Sequence, residues 1–370
     1  MGNKRPIAVY GANGYTGSLV CEFLRHFQIP YIAAGRDHAR LENAMKRVPG
    51  IETADYEIAV VEHDVNALVE LFTGVKVVCN TVGPFVLYGE KVVEAALRAG
   101  CHYIDTTGEQ PFVLHVRDKF GAEFAKRGLL LAPATAYMHA VLEIACCACA
   151  EHSDVDTIEA LCAPTGTPTF GSTQTIILMV RGEEYYLEGG ALVPWPPAYS
   201  ADVSAPFTDR LLFGVPWSGS PLPLWFTDHP RMRNLKALTS FTNRELMLQV
   251  HGIFKHYHTE LIKLPEDEQI AALQRIASGI QGGTPPRENP LVHRCYDRAI
   301  GSGSMGRVAY TVYSHCPYQQ TGLLQAFVAS LLLRNTPPSV GFQSPCRTFG
   351  YRNILGVLER FGYAKLVKEI

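Results

Sequence analysis

Two hydrophobic periods alternate along the first third of the chain. Short apolar runs rich in β-formers at 7–10, 31–34, 58–61, 75–79, 102–104 and 129–132 read as strands. Between them, apolar positions recur at helical spacing over 16–27, 39–47, 65–72, 90–99 and 112–127. Strand and helix in regular succession predict βαβ units on a parallel sheet, and strands that are apolar throughout predict that helices cover both of its faces. Right-handed crossovers then give a doubly wound α/β sheet. The most apolar stretch, 129–150, is broken by Pro133, His139 and Glu143, which predicts a buried strand followed by a buried helix rather than a membrane span.

Beyond about residue 151 the texture changes. Residues 155–162 read as a strand, and 173–181 as a short helix. From 194 to 230 prolines alternate with Trp195, Tyr199, Phe207, Phe213, Trp217, Trp225 and Phe226, a density that predicts no helix. Such a segment is too apolar for a disordered linker. It either lines a large apolar cavity or covers the sheet of a second domain. A helix over 269–280, a loop over 282–290, a hairpin over 298–314 around the run from Gly301 to Gly306, an apolar helix over 321–333 and a closing amphipathic helix over 353–361 follow.

A length of 370 residues suits two domains better than one. The formal net charge of −2 gives no electrostatic case for nucleic acid. Ten cysteines without paired spacing read as reduced core residues of a cytoplasmic protein, and no metal site is expected. With a strand starting near Pro6 no signal peptide is expected, and Pro6 also argues against myristoylation at Gly2. No basic amphipathic helix supports peripheral membrane attachment through 211–226.

Candidate chemistry lies at the strand ends. Gly11, Ala12, Asn13, Gly14, Tyr15, Thr16 and Gly17 join the first strand to the first helix. Three glycines there permit a tight turn, a close backbone approach to a pyrophosphate and close helix–strand packing, and the helix N-terminus offers N–H groups to the phosphates. Arg36 follows the second strand, where a guanidinium suits a ribose 2′-phosphate, so NADP(H) is expected in preference to NAD(H); Asp37 beside it keeps NADH open. Asp64 after the third strand either meets the adenosine or caps a helix. Asn80, Val82, Gly83 and Pro84 follow the fourth strand, at the expected nicotinamide ribose. Asp105 and Glu109 follow the fifth and either orient substrate or brace the loop. Tyr137 and His139 follow the sixth and are candidate proton donors, or structural residues.

At these residues the sequence resembles the saccharopine dehydrogenase-like oxidoreductases. The likeness is carried by Gly11 to Gly17, Ala34-Gly35-Arg36, Asn80 to Phe85 with Tyr88-Gly89-Glu90, and Tyr103 to Glu109; Tyr318 to Gly322 and Gly341 to Pro345 extend it. The resemblance implies a Rossmann domain over 1–150, an inserted mixed α/β substrate or dimerisation domain over 151–316, and C-terminal helices over 317–370 returning to the Rossmann domain, with a homodimer expected. Within the family the chain looks nearer the branch that includes the trans-acting enoyl reductases than the lysine-pathway saccharopine reductases, which implies hydride transfer from NADPH to a polarised C=C bond of a fairly large apolar small molecule. Phe85, Tyr88, Asp105 and Glu109 would then lie toward that substrate. Pro133 to His139 departs from the enoyl reductase pattern at the site. One rival reading is imine reduction, for which Arg181, Arg231 and Arg233 would have to hold carboxylates. Another is a non-catalytic NADP-binding sensor or scaffold.

Overall fold

The computed structural model describes residues 4–166, 168–206, 210–216, 220–280 and 285–369. In chain order the elements begin β1 (Ile7–Tyr10), α1 (Tyr15–His26), β2 (Tyr31–Gly35), α2 (His38–Met45), β3 (Tyr56–Val60), α3 (Val65–Phe72), β4 (Val77–Asn80), α4 (Phe85–Ala99), β5 (His102–Asp105), α5 (Gln110–Lys126) and β6 (Leu130–Ala132). There follow α6 (Ala140–Ala150), β7 (Val155–Pro164), α7 (Phe170–Leu178), β8 (Tyr185–Glu188), β9 (Ala191–Pro194), β10 (Ala201–Ser204), β11 (Leu211–Gly214), α8 (Leu222–Phe226), β12 (Asn234–Thr239), α9 (Arg244–Thr259), α10 (Glu266–Ile280), β13 (Arg294–Gly303) and β14 (Gly306–His315). The chain ends with α11 (Pro317–Arg334), β15 (Gly341–Phe342), α12 (Pro345–Phe349), α13 (Tyr351–Arg360) and β16 (Ala364–Lys368). Among the described residues these form two compact units, one of residues 4–107, 112–140 and 318–358, the other of 108–111, 141–317 and 359–369.

The first unit is built on a parallel sheet of order β15-β6-β5-β4-β1-β2-β3. Every residue of β1, β2 and β4 is buried, which is why these strands read as unbroken apolar runs. The chain winds outward from β1 through β2 to β3, then resumes at β4 on the other side of β1. That reversal opens a crevice at the carboxyl ends of β1 and β4, where the candidate residues cluster. Helix α4 starts at Phe85, five residues ahead of the sequence expectation, so Tyr88 is helical rather than in a loop. Its C-cap, Gly100, takes φ 78°, a left-handed turn that ends the helix.

The second unit carries a mixed sheet of order β16-β14-β13-β7-β12-β8-β9. Helices α7, α9 and α10 pack around a core that includes Ile177, Val250, Phe254, Tyr257 and Leu273. Helix α9 is started by Asn243, whose side chain accepts from Leu246 N–H. Contrary to expectation, the proline-rich segment contains a helix, α8. Pro221 and Pro223 fall at its N-cap and first turn, where no backbone donor is required. The hairpin β10–β11 lies on the sheet, with Val203, Ala205 and Leu212 against Leu161, Ala163, Leu238 and Tyr296. That part of the segment is therefore a cover on the sheet. Phe207 and Trp217 lie outside the described residues. The expected hairpin spans all of β13 and β14, and the predicted 282–290 loop lies partly outside the described residues. The amphipathic helix expected over 353–361 is α13, and a strand the sequence reading did not expect, β16, follows it and pairs with β14.

Candidate functional site at the carboxyl edge of the parallel sheet

The turn after β1 has room only for glycine at two points. Gly11 takes φ 91°, and a Cβ there would lie 2.7 Å from Thr81 Oγ1. A Cβ on Gly17 would fall 2.2 Å from the Gly11 carbonyl oxygen, so α1 could not sit this close to the strand end with any side chain there. Gly11 N–H donates to Ala34 O at 2.9 Å, which ties the turn to the end of β2. The N-cap of α1 is Gly14, and no side chain caps the helix. The opening of α1 therefore presents backbone dipole, unshielded by a carboxylate or hydroxyl, to the crevice.

Arg36 is exposed beyond the end of β2 and makes no hydrogen bond or ion pair among the described residues. Asp37, the residue that would favour a ribose hydroxyl, caps α2, accepting from Arg40 N–H at 3.0 Å. Asp64 likewise caps α3, accepting from Asn66 N–H at 2.9 Å and from Ala67 N–H at 3.3 Å. Both carboxylates thus serve as helix caps, whereas the guanidinium remains uncommitted.

Between β4 and β6 a buried polar chain orders the loops. Asn80 donates through Nδ2 to Tyr103 Oη at 3.0 Å and accepts from Val82 N–H at 3.0 Å. Tyr103 donates onward to Asp105 Oδ2 at 2.9 Å. Asp105 Oδ1 accepts from Thr107 N–H and from Ala134 N–H, so it braces the loops after β5 and β6. Burial pushes the Asp105 carboxyl up to about 7, against the pull of the donors from Ala134, Thr107 and Tyr103. The Gly83–Pro84 peptide is cis, and Pro84 is the N-cap of α4. Phe85 is buried, its ring tilted against Phe112 at 5.7 Å, while Tyr88 stays partly exposed on α4. Glu109 is buried and belongs to the second unit's residues 108–111.

The segment after β6 is held from the far end of the sequence. Gln325 of α11 donates from Nε2 to the carbonyls of Asp105 at 2.6 Å and Thr135 at 2.7 Å, and Thr321 Oγ1 accepts from Tyr137 N–H at 3.1 Å. The same helix packs on α1, since a Cβ at Gly322 would lie 2.8 Å from Leu19 Cβ; Tyr318 sets its ring edge-on to Tyr15 at 5.3 Å. Sequence reading missed Tyr318, Thr321 and Gln325 as site residues. The available signal was a set of polar residues, Gln319, Gln320, Thr321 and Gln325, at the start of a helix whose later turns are mostly apolar, with Thr321 and Gln325 one turn apart.

Of the two donor candidates, Tyr137 is buried at 6% exposure and His139 at 4%. Burial holds the His139 imidazole down to about 3, so the ring is neutral throughout the physiological range. Its Nδ1 is buried without a partner. Of the three basic residues a polycarboxylate would need, Arg181 pairs with Glu266 at 2.5 Å and Arg231 donates to Ala150 O at 2.6 Å, whereas the Arg233 side chain makes no hydrogen bond or ion pair among the described residues. All ten cysteines are free, nine of them buried. Among the described residues no cluster of His, Cys, Asp or Glu could hold a metal, and no helix is long and apolar enough to cross a membrane.

Residues 7–125 match the family model of the saccharopine dehydrogenase NADP binding domain, and residues 140–368 match one described as a family of unknown function, DUF5938. The chain belongs to the saccharopine dehydrogenase-like oxidoreductases, as a DUF5938 member. Relatives of this family include a lipid droplet localized protein of Caenorhabditis elegans, 28% identical over 49% of this chain and 46% of its own length. A saccharopine dehydrogenase-like oxidoreductase of Mus musculus is 31% identical over 35% of this chain and 34% of its own. The trans-acting enoyl reductase of Mycobacterium bovis is 34% identical over 33% of this chain and 30% of its own. Each match spans less than half of the relative. Saccharopine dehydrogenase (L-Glu forming) of Saccharomyces cerevisiae shares the fold over 99% of this chain and 100% of its own, with a TM-score of 0.62 at 13% identity.

Proposed function

We propose that the first unit binds NADPH and that the protein is an NADPH-dependent reductase of a polarised C=C bond in a fairly large apolar substrate. The observation that carries the cofactor reading is the pairing of a glycine cradle with an uncommitted cation. Side chains are excluded at Gly11 and Gly17 beside an uncapped helix opening, and Arg36 lies unpaired one strand away. Gly11, Ala12, Asn13, Gly14, Tyr15 and Thr16 would hold the pyrophosphate and Arg36 the 2′-phosphate, with Asp64 toward the adenosine. Asn80, Val82, Gly83 and Pro84 would border the nicotinamide ribose. When bound, the cofactor supplies a hydride.

The chain's own part is to bind, to order and to polarise. Asn80, Tyr103 and Asp105 keep the strand ends rigid through a continuous run of hydrogen bonds. A neutral His139 offers an N–H to a substrate carbonyl without a full charge to desolvate, which suits an electrophilic donor better than a proton source. Tyr137 is the alternative donor; Tyr88, expected toward the substrate, instead sets its ring edge-on to His63 beyond the end of β3. Two observations support C=C over C=N reduction: the kinship with a protein named trans-acting enoyl reductase, and the commitment of Arg181 and Arg231 to other partners.

Calorimetric titration with NADPH and NADH tests the cofactor reading. Arg36→Gln should weaken NADPH about 10- to 100-fold and leave NADH unchanged, since a charge-assisted bond is worth about 1.5–3 kcal/mol. Stopped-flow oxidation of NADPH with enones, enoyl thioesters and imines tests the reaction. Affinity for neither dinucleotide would remove the whole reading, and turnover of a keto acid plus amine alone would remove the C=C part.

A further inference from the structure

Three cationic or cationisable side chains, Arg36, His63 and Lys91 of α4, gather near the ends of β2 and β3. His63 lies in the turn between β3 and α3. Its Nδ1 is 2.9 Å from Tyr10 Oη, and its ring lies nearly parallel to that of Tyr10. Tyr88 of α4 meets the same ring edge-on at 5.5 Å. Lys91, one turn along α4, has Nζ 3.4 Å from the His63 carbonyl, and Arg36 is close enough for its charge to act on both Tyr10 and His63. Neither Arg36 nor Lys91 makes an ion pair among the described residues, and His63 Nε2 is buried without a partner. The groups facing His63 are therefore Arg36, Lys91, Tyr10 and Tyr88, together with its own neighbours Glu62 and Asp64; Asp64 is committed to capping α3.

Two unpaired cations around a histidine make a site that lacks an anion. As the free protein stands, burial first, and then the charges of Lys91 and Arg36, hold the His63 imidazole below its ordinary range. A dianion set among them would reverse the electrostatic part of that shift and favour the imidazolium. The bond to Tyr10 tolerates either state, because the hydroxyl donates to the neutral ring and accepts from the protonated one. Burial keeps that hydroxyl protonated by pushing it up to about 12. We infer that Arg36, Lys91 and His63 together clamp the ribose 2′-phosphate, and that His63 takes up a proton as NADPH binds. The preference for NADPH over NADH then depends on pH. This inference rests on the NADPH reading above and adds to it Lys91, His63 and a proton.

The sign follows from linkage. A group whose pKa is raised by a ligand strengthens binding as pH falls through the bound-state value, by up to about tenfold per pH unit until the free-state value is reached. The 2′-phosphate's own protonation, near about pH 6, works the opposite way, and a variant without the imidazole separates the two. The experiment titrates wild type, His63→Asn and Lys91→Gln with NADPH and NADH from about pH 5.5 to about pH 8.5. The expected result is a gain in NADPH affinity toward low pH in wild type that exceeds the gain in His63→Asn by about 5- to 10-fold, a flat NADH affinity, and weaker NADPH binding in Lys91→Gln. Parallel NADPH curves for wild type and His63→Asn overturn the inference while leaving the cofactor reading intact. Loss of both dinucleotides from wild type overturns both. Proton NMR of the wild-type imidazole with adenosine 2′-monophosphate, against adenosine 5′-monophosphate as control, needs no variant to fold. An upward shift of the His63 titration with the 2′-isomer alone supports the clamp, and no difference between the isomers overturns it.

Discussion

Replacing Gln325 by Leu probes the strut that α11 provides to the site. Gln325 is fully buried, and its amide must point NH2 toward two carbonyls, those of Asp105 and Thr135, because neither can donate. Leucine matches its volume but removes both donors, leaving two buried carbonyls short of a partner at about 1–3 kcal/mol each. Against this, Gln325 Oε1 is itself buried without a partner, and deleting it returns part of that cost. The net loss should be about 1–4 kcal/mol, a Tm about 3–12 °C lower for a unit of this size. Urea and thermal unfolding followed by circular dichroism measure it, and NADPH titration reads whether the loops after β5 and β6 have lost register. Since Thr321 still holds Tyr137 N–H, the variant should fold and bind NADPH more weakly rather than collapse. Stability within about 0.5 kcal/mol of wild type, with unchanged affinity, would refute the strut.

Gly17→Ala forces a methyl to within 2.2 Å of a backbone carbonyl, so α1 must shift; the overpacking cost of about 1–3 kcal/mol should weaken NADPH about 10- to 100-fold by titration, and wild-type affinity would contradict it. Asp105 ties stability to pH. Its folded pKa, about 7, lies above its ordinary 3.8, so its stabilisation is complete below 3.8 and is lost as pH rises toward 7. The loss is about 4 kcal/mol at about 1.4 kcal/mol per pH unit. In Asp105→Asn, unfolding free energies from denaturant titrations should lose that slope, and an unchanged slope would place the titration elsewhere.

The sequence by itself determined the parallel sheet of the first unit and the location of its crevice. β1, β2 and β4 are covered on both faces, so their apolar runs are unbroken and need no partner to be read, and the glycines between β1 and α1 report a backbone that no side chain could follow. The place of Arg36, exposed and immediately beyond the end of β2, was legible from the same strand boundary. Tertiary structure alone decided what each polar group there does. Asp37 and Asp64 became helix caps, Asp105 a brace and His139 a neutral ring, because burial and partners set those roles and neither is written in local periodicity. It also decided that Gln325, 220 residues from Asp105 along the chain, holds that residue's carbonyl, and that the last strand pairs with β14. Contacts at such separations arise from three-dimensional packing of elements whose own patterns carry no address for one another. Helix α8 formed in a proline-rich stretch because its prolines fall where a helix needs no donor, a matter of position within the element rather than of composition.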